Sequence, residues 1–159
     1  MTELALPKID KKTLDKKDYI FKSLAKLINP EYVLSHKDEI KPYETDGLSA
    51  YKQTPLAVVM PENTKEVSSI LKFCHEENIK VVPRGAGTGL SGGALPLQDA
   101  VLLSLGKFNK ILDIDFENKC VVTQPGVTNL GLTHAVQHKG FYYAPDPSSQ
   151  LACSIGGNV

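Results

Sequence analysis

No run of apolar residues in these 159 amino acids approaches the roughly 18 that a bilayer-spanning helix needs. Neither sign of charge is in excess: Lys plus Arg number 18, Asp plus Glu number 18, and the formal net charge is zero. A strong global field for nucleic acid or anionic lipid is therefore excluded, though a local charged site is not. Cysteine is scarce, and Cys74, Cys120 and Cys153 are odd in number and far apart. That pattern suits a reducing compartment and excludes a disulfide scaffold. Met1–Lys17 alternates charges without an apolar core, so no secretory signal is expected there. Internal repeats and low-complexity segments are missing as well. So, nearly, is arginine: Arg84 is the one arginine among 18 basic side chains.

What is present has 42% apolar and 23% charged residues, a globular composition long enough for one domain or two small subdomains sharing a core. Residues 1–50 read as a helical and irregular extension. Lysine-rich residues 1–18 are expected to be frayed or loosely docked. From Tyr19, Ile20, Leu24, Leu27 and Ile28 recur at helical spacing until Asn29-Pro30 stops the run. Residues 35–55 are mostly charged and polar, an irregular connection with room for one short helix.

Residues 51–109 contain a β-α-β unit. Ala57–Met60 is a short apolar strand closed by Pro61. Asn63 or Thr64 can cap the helix that follows, with Glu66 placing negative charge in its first turn. Val67, Ile70, Leu71 and Cys74 form the expected buried stripe, and Asn78 ends the helix before a second strand, Ile79–Val82. A connection this long predicts parallel strands. Ala100–Leu105, apolar without alternation, suits the same buried sheet. Residues 110–159 begin a second unit: Ile111–Phe116 and Cys120–Gln124 as an antiparallel hairpin, a helix from Thr128 to about His138 capped by Gly140, and a strand-like Phe141–Ala144. The fold class is α+β, built of α/β subdomains. The second is expected to be incomplete, because Cys153–Val159 reads as the approach to a further element.

Of the twelve glycines the first is Gly47, and five fall between Gly85 and Gly93, directly after Arg84. Arginine used once, at the mouth of a glycine cluster, points to a local electrostatic or hydrogen-bonding role. Small residues after a parallel strand let backbone N–H groups approach a phosphate closely. A Walker A loop is ruled out because no lysine lies between Lys80 and Lys107. Gly87-Thr88-Gly89-Leu90-Ser91-Gly92 matches the dinucleotide fingerprint formally, but that fingerprint must open a helix, which Gly92-Gly93 followed by Pro96 disfavours. A nest for a diphosphate remains, against a plain glycine-rich turn joining two strands.

Val81-Val82-Pro83-Arg84-Gly85-Ala86-Gly87-Thr88-Gly89-Leu90-Ser91-Gly92-Gly93 resembles the first flavin-binding segment of FAD-linked oxidases of the vanillyl-alcohol oxidase type, with a PCMH-type FAD-binding domain. The likeness is strongest to the branch of glycolate oxidase FAD subunits and D-lactate dehydrogenases. Gln124-Pro125-Gly126-Val127, Tyr143-Ala144-Pro145-Asp146-Pro147-Ser148-Ser149 and Cys153-Ser154-Ile155-Gly156-Gly157-Asn158 resemble three further segments of that family. The resemblance covers about residues 40–159, and Ala144 is its one visible departure. It implies FAD as cofactor, with Arg84, Gly85, Ala86, Gly87, Thr88, Gly89, Ser91 and Gly92 wrapping the diphosphate. It places Pro145, Asp146, Ser149, Ser154, Gly156, Gly157 and Asn158 near the flavin or its ribityl chain. It implies that the chain is the N-terminal part of a flavin-dependent 2-hydroxy-acid dehydrogenase or oxidase, with the catalytic and substrate-binding groups in a cap domain outside residues 1–159. The chain alone is then expected to be inactive. An electron-transfer partner subunit and a cytoplasmic location, free or peripheral to the inner membrane, follow from the same likeness, with no nucleic acid and no transmembrane segment. The alternative is a truncated, non-enzymatic fragment that does not hold FAD productively.

Other residues are weighed against these. His134 and His138 stand four apart on one predicted helix but lack the remaining ligands of a metal site. Cys153 reads as a small buried residue. Asp113, Asp115 and Glu117 read as the wet face of a strand. Ser148 and Ser149 have no Gly-x-Ser-x-Gly context for acyl transfer. Asp146, between two prolines, suits either a local cap or the orientation of a cofactor group.

Overall fold

The computed structural model describes residues 7–159. The N-terminal part contributes α1 (Lys11–Asp15), α2 (Lys17–Leu27), β1 (Val33–Leu34) and α3 (Lys37–Ile40). There follow β2 (Ala57–Val59), α4 (Thr64–Glu76), β3 (Lys80–Arg84) and β4 (Ala100–Ser104). The second unit comprises β5 (Ile111–Asp115), β6 (Cys120–Thr123), α5 (Asn129–Val136) and α6 (Ile155–Asn158).

Strands β1 to β4 form one sheet in the order β1-β2-β4-β3. β2 and β3 are parallel to β4, which lies between them, while β1 runs antiparallel along β2. All five residues of β4 are buried, which explains why its sequence does not alternate. Ala57, Val59, Val101 and Leu103 pack against Ile20 and Leu24 of α2 and Ile70 and Cys74 of α4. Val58, Val82 and Leu102 pack on the other face, against Ile40 and Tyr43. The segment around α3 thus roofs the second face, and so delivers residues 43–48 to the carboxyl end of β3.

Local chemistry sets the ends of α4. The Asn63 side chain accepts from the Glu66 N–H, and the Glu66 carboxylate accepts from the Glu62 N–H, satisfying N–H groups that the helix itself cannot. Asn78, at φ 55°, takes the left-handed turn that stops it. The expected stripe needs one correction: Leu71 is 44% exposed, and Phe73 packs against the core with Val67. Position 71 lies about 100° round the helix from Ile70, outside the narrow face the sheet covers.

The expectation of a loose N-terminus is overturned for residues 7–18, while residues 1–6 lie outside the described ones. Asp10 caps α1 through the Lys12 N–H, and Thr13 is buried. The cause is Asp99, which is buried and accepts from the Asp10 N–H at 2.6 Å and from Lys80 Nζ at 2.7 Å. A buried carboxylate has to be partnered, and here it recruits the N-terminal segment. Burial alone would raise the Asp99 pKa, but the bonds from Lys80 and Asp10 together hold it below its ordinary value.

β5 and β6 form a separate antiparallel hairpin. An irregularity between Ile111 and Asp113 turns Leu112 outward. Asp113 and Glu117 are exposed, whereas Asp115 is half-buried and closes the turn by accepting from the Asn118 N–H and Nδ2. Thr128 caps α5 through the Gly131 N–H, and Gly140, at φ 76°, ends the helical run. Among the described residues Phe141–Ala144 pairs with no ladder and is not a strand; the Tyr143 N–H donates to Thr133 Oγ1 instead.

Asp99→Asn should lower the unfolding free energy by roughly 1–3 kcal/mol, because it removes the charge from a buried hydrogen-bonded pair. The folded pKa of Asp99 lies below its unfolded value of about 3.8. Its contribution is therefore complete above that pH and lost as pH falls through the folded value. Thermal unfolding followed by circular dichroism between pH 7 and pH 3 should show a loss on acidification that is smaller in Asp99→Asn. Identical pH profiles would remove the role given to Asp99.

Candidate functional site

β3 ends at Arg84, and the chain then runs to β4 without any helix, so the dinucleotide fingerprint is not used as such. Gly87 and Gly92 have φ of 72° and 75°, values that a residue with a Cβ adopts at a cost. At Gly87 a Cβ would also stand 2.6 Å from Arg84 Nε. The Arg84 side chain curls back beneath the loop it precedes. Its Nη1 donates to the carbonyl oxygens of Thr45 at 2.7 Å and Tyr43 at 3.3 Å, and the guanidinium carbon lies 5.8 Å from the Tyr43 ring centroid. Arg84 joins no ion pair among the described residues. Burial draws its pKa down, partly offset by the nearby charge of Asp46, and a guanidinium so placed remains charged at neutral pH.

The opposite wall comes from 149–158. Its backbone is tied to the turn before α5: the Asn129 N–H donates to Cys153 O, the Ile155 N–H to Val127 O, and the Gly156 N–H to Pro125 O. Gly156 has no room for a Cβ because Pro125 occupies that space. The two walls meet where Gly85 lies against the Ser154 hydroxyl, which would clash with any side chain at position 85. Ser154 is buried, and its Oγ has no hydrogen-bond partner among the described residues. An orphaned buried hydroxyl is costly unless something else completes it.

Between the walls runs a groove of about 470 Å³. Arg84, Gly85, Ala86, Gly87, Thr88, Gly89 and Ser91 line one side, and Ser149, Ser154, Gly156, Gly157 and Asn158 the other. Gly92, Pro145 and Asp146 do not line it. Gly92 accepts the Leu95 N–H in the turn that closes the loop, the Pro145 carbonyl accepts from Asn129 Nδ2, and Asp146 is exposed. A second concavity, flanked by Asp46, Gly47, Thr88 and Ser148, adjoins the first through Arg84, Gly87, Thr88 and Ser149.

Pro125 and Cys153 also line the groove. The Cys153 thiol is buried and accepts from Asn158 Nδ2 at 3.5 Å. Cys74 is a core residue whose thiol burial pushes up to about 11, too high for a reactive thiolate. His134 and His138 are both exposed, and the His138 ring meets Phe116 edge-on. Sequence reasoning missed Asp46 and Gly47, which touch the glycine loop. The only signal was that Gly47 is the first glycine in the chain. Among the described residues no helix is long and apolar enough to cross a membrane.

Comparison with known proteins agrees with this geometry. The FAD binding domain family matches residues 55–159. The glycolate oxidase subunit GlcD of Escherichia coli strain K12 is 49% identical over 155 residues, which are 98% of this chain and 30% of that protein. The D-lactate dehydrogenase of Anaerostipes hadrus is 36% identical, over 100% of this chain and 32% of its own length. The 4-ethylphenol oxidase from Gulosibacter chungangensis superposes with a TM-score of 0.79 at 26% identity, covering 97% of this chain and 30% of that structure. The chain thus spans under a third of the length of these proteins. With a match that takes in both walls of the groove, the chain belongs to the FAD binding domain family, as the vanillyl-alcohol-oxidase-type motifs at Arg84–Gly93 and Cys153–Asn158 implied.

Proposed function

We propose that the groove holds the diphosphate and ribityl chain of FAD. The observation that carries this reading is the meeting of Gly85 with the unpartnered Ser154 hydroxyl, two positions 69 residues apart that share one small-residue cradle. The fit is chemical as well as spatial. The loop offers backbone N–H groups, the Arg84 guanidinium sits beneath it, and the groove lining carries no carboxylate. Arg84 to Gly89, with the Ser91-Gly92 turn, would surround the diphosphate. Ser154 would donate to a cofactor oxygen, and Gly156, Gly157, Asn158 and Ser149 would face the ribityl chain and flavin. Pro145 and Asp146 would stand at the outer end. The two sheets would correspond to two FAD-binding subdomains, residues 51–109 and 110–159.

FAD, when bound, supplies two-electron acceptor chemistry; the residues here bind and orient it. For the whole protein we infer oxidation of a 2-hydroxy acid to the 2-oxo acid, glycolate or D-lactate being the nearest substrates. The support is that relatives named glycolate oxidase subunit, D-lactate dehydrogenase and D-2-hydroxyglutarate dehydrogenase share that substrate chemistry. The word subunit in the first of these supports a multi-subunit assembly; we infer that it includes an electron-transfer partner subunit and is cytoplasmic, free or peripheral to the inner membrane.

In the full-length protein, titration followed by flavin fluorescence should show stoichiometric FAD. Arg84→Lys should weaken binding about tenfold or more with unchanged far-ultraviolet circular dichroism, since a lysine has no planar guanidinium to lie under Gly87 and beside the Tyr43 ring. An unaltered dissociation constant would remove Arg84 from the site. Under anaerobic conditions, glycolate or D-lactate should bleach the bound flavin; a panel of 2-hydroxy acids that leaves it fully yellow would refute the substrate class.

A further inference from the structure

The glycine loop is braced from outside by residues 43–48, a strap that precedes the family-matched residues 55–159. Asp46 is buried. Its Oδ1 accepts from the Leu48 N–H at 2.9 Å, and its Oδ2 accepts from the Ala94 N–H at 3.3 Å. One carboxylate therefore shapes the strap's own turn and anchors the far end of the loop. The near end is anchored by Arg84, through the carbonyls of Tyr43 and Thr45. The middle is held by contact: a Cβ at Gly47 would stand 2.6 Å from the Thr88 oxygen and 2.7 Å from the Gly89 oxygen. The strap thus reaches the loop at three successive places.

Those contacts have a direction. The oxygen edges of the peptide units Thr88–Gly89 and Gly89–Leu90 lie against Gly47, and no peptide bond in the described chain is cis. In a trans unit the N–H leaves from the edge opposite the oxygen. The Gly89 and Leu90 N–H groups therefore point away from the strap, free of it.

We propose that Asp46 is a positioning residue for the cofactor: with Gly47 it holds the carbonyl side of the glycine loop, so that the loop's N–H groups are presented to the FAD diphosphate before FAD arrives. The proposal rests on the reading of the groove as an FAD site. Preorganised N–H groups bind an anion without the entropy cost of ordering a loop of this composition. Asp46 touches no cofactor atom in this scheme. It acts through the backbone of Leu48 and Ala94.

The test uses the full-length protein with FAD itself as probe. Asp46→Asn keeps the side chain's size but has one oxygen for two N–H donors, so its amide nitrogen faces one of them. Gly47→Ala pushes the strap off the Thr88 and Gly89 carbonyls and carries the decision if Asp46→Asn does not fold. Asp99→Asn makes the same chemical change at the opposite end of β3 and β4 and serves as the control for lost stability. The readouts are the FAD dissociation constant, the ³¹P resonances of the bound diphosphate, and apoprotein melting. Asp46→Asn and Gly47→Ala should each weaken FAD binding about tenfold or more and move the ³¹P resonances. Asp99→Asn should lower melting while leaving affinity within about twofold and the resonances in place. Unaltered FAD affinity and resonances in the strap variants would overturn the proposal, as would equal weakening by Asp99→Asn. Failure of the unaltered protein to bind FAD would overturn the cofactor reading itself and this proposal with it.

Discussion

A nine-residue segment with five glycines, Gly85 to Gly93, has almost no side chains with which to hold its own shape, and each glycine adds conformational freedom that folding must remove. That shape has to be imposed by neighbours. The lone arginine does so from below by hydrogen bonding to carbonyls on a distant stretch of chain. The Ser154 turn does so from across the groove. The rest of the architecture can be understood as what brings those neighbours within reach.

The first sheet supplies the platform. Because β4 is buried on both faces, it needs a layer on each side, and the two layers do different work. Helices α2 and α4 contribute most of the apolar packing. The other layer is thinner, resting on Ile40 and Tyr43, and it continues directly into the strap. Packing on that face and the position of the strap are therefore one problem: Tyr43 covers the sheet with its ring while its carbonyl receives Arg84.

Much of this was visible in the residues themselves. The β-α-β unit announces itself through caps and spacing, because Asn63, Glu66 and Asn78 act on backbone groups close to them in sequence. The glycine loop and the turn at Ser154 are visible for a different reason: their function constrains local composition. Contacts between distant segments left no such trace. β1 is only two residues long and gains its identity from pairing with β2. The Asp10–Asp99 bond spans 89 residues, and nothing local distinguishes Asp10 from the charged residues around it. Phe141–Ala144 has strand-like residues but no partner among the described residues, so propensity alone misleads. Asp46-Gly47 looks like an ordinary turn, since an aspartate that accepts from its own neighbour's N–H does just that in many loops.

The interleaved strand order also bears on how the molecule assembles. Pairing β3 with β4 joins residues about 20 apart, Lys80 with Ala100, whereas pairing β2 with β4 joins Ala57 with Val101, about 44 apart. Loop-closure entropy favours the shorter connection by about 0.7 kcal/mol. The shorter connection is the glycine loop itself. The segment that wraps the proposed cofactor is thus also the tether across which the sheet's shorter-range strand pairing closes.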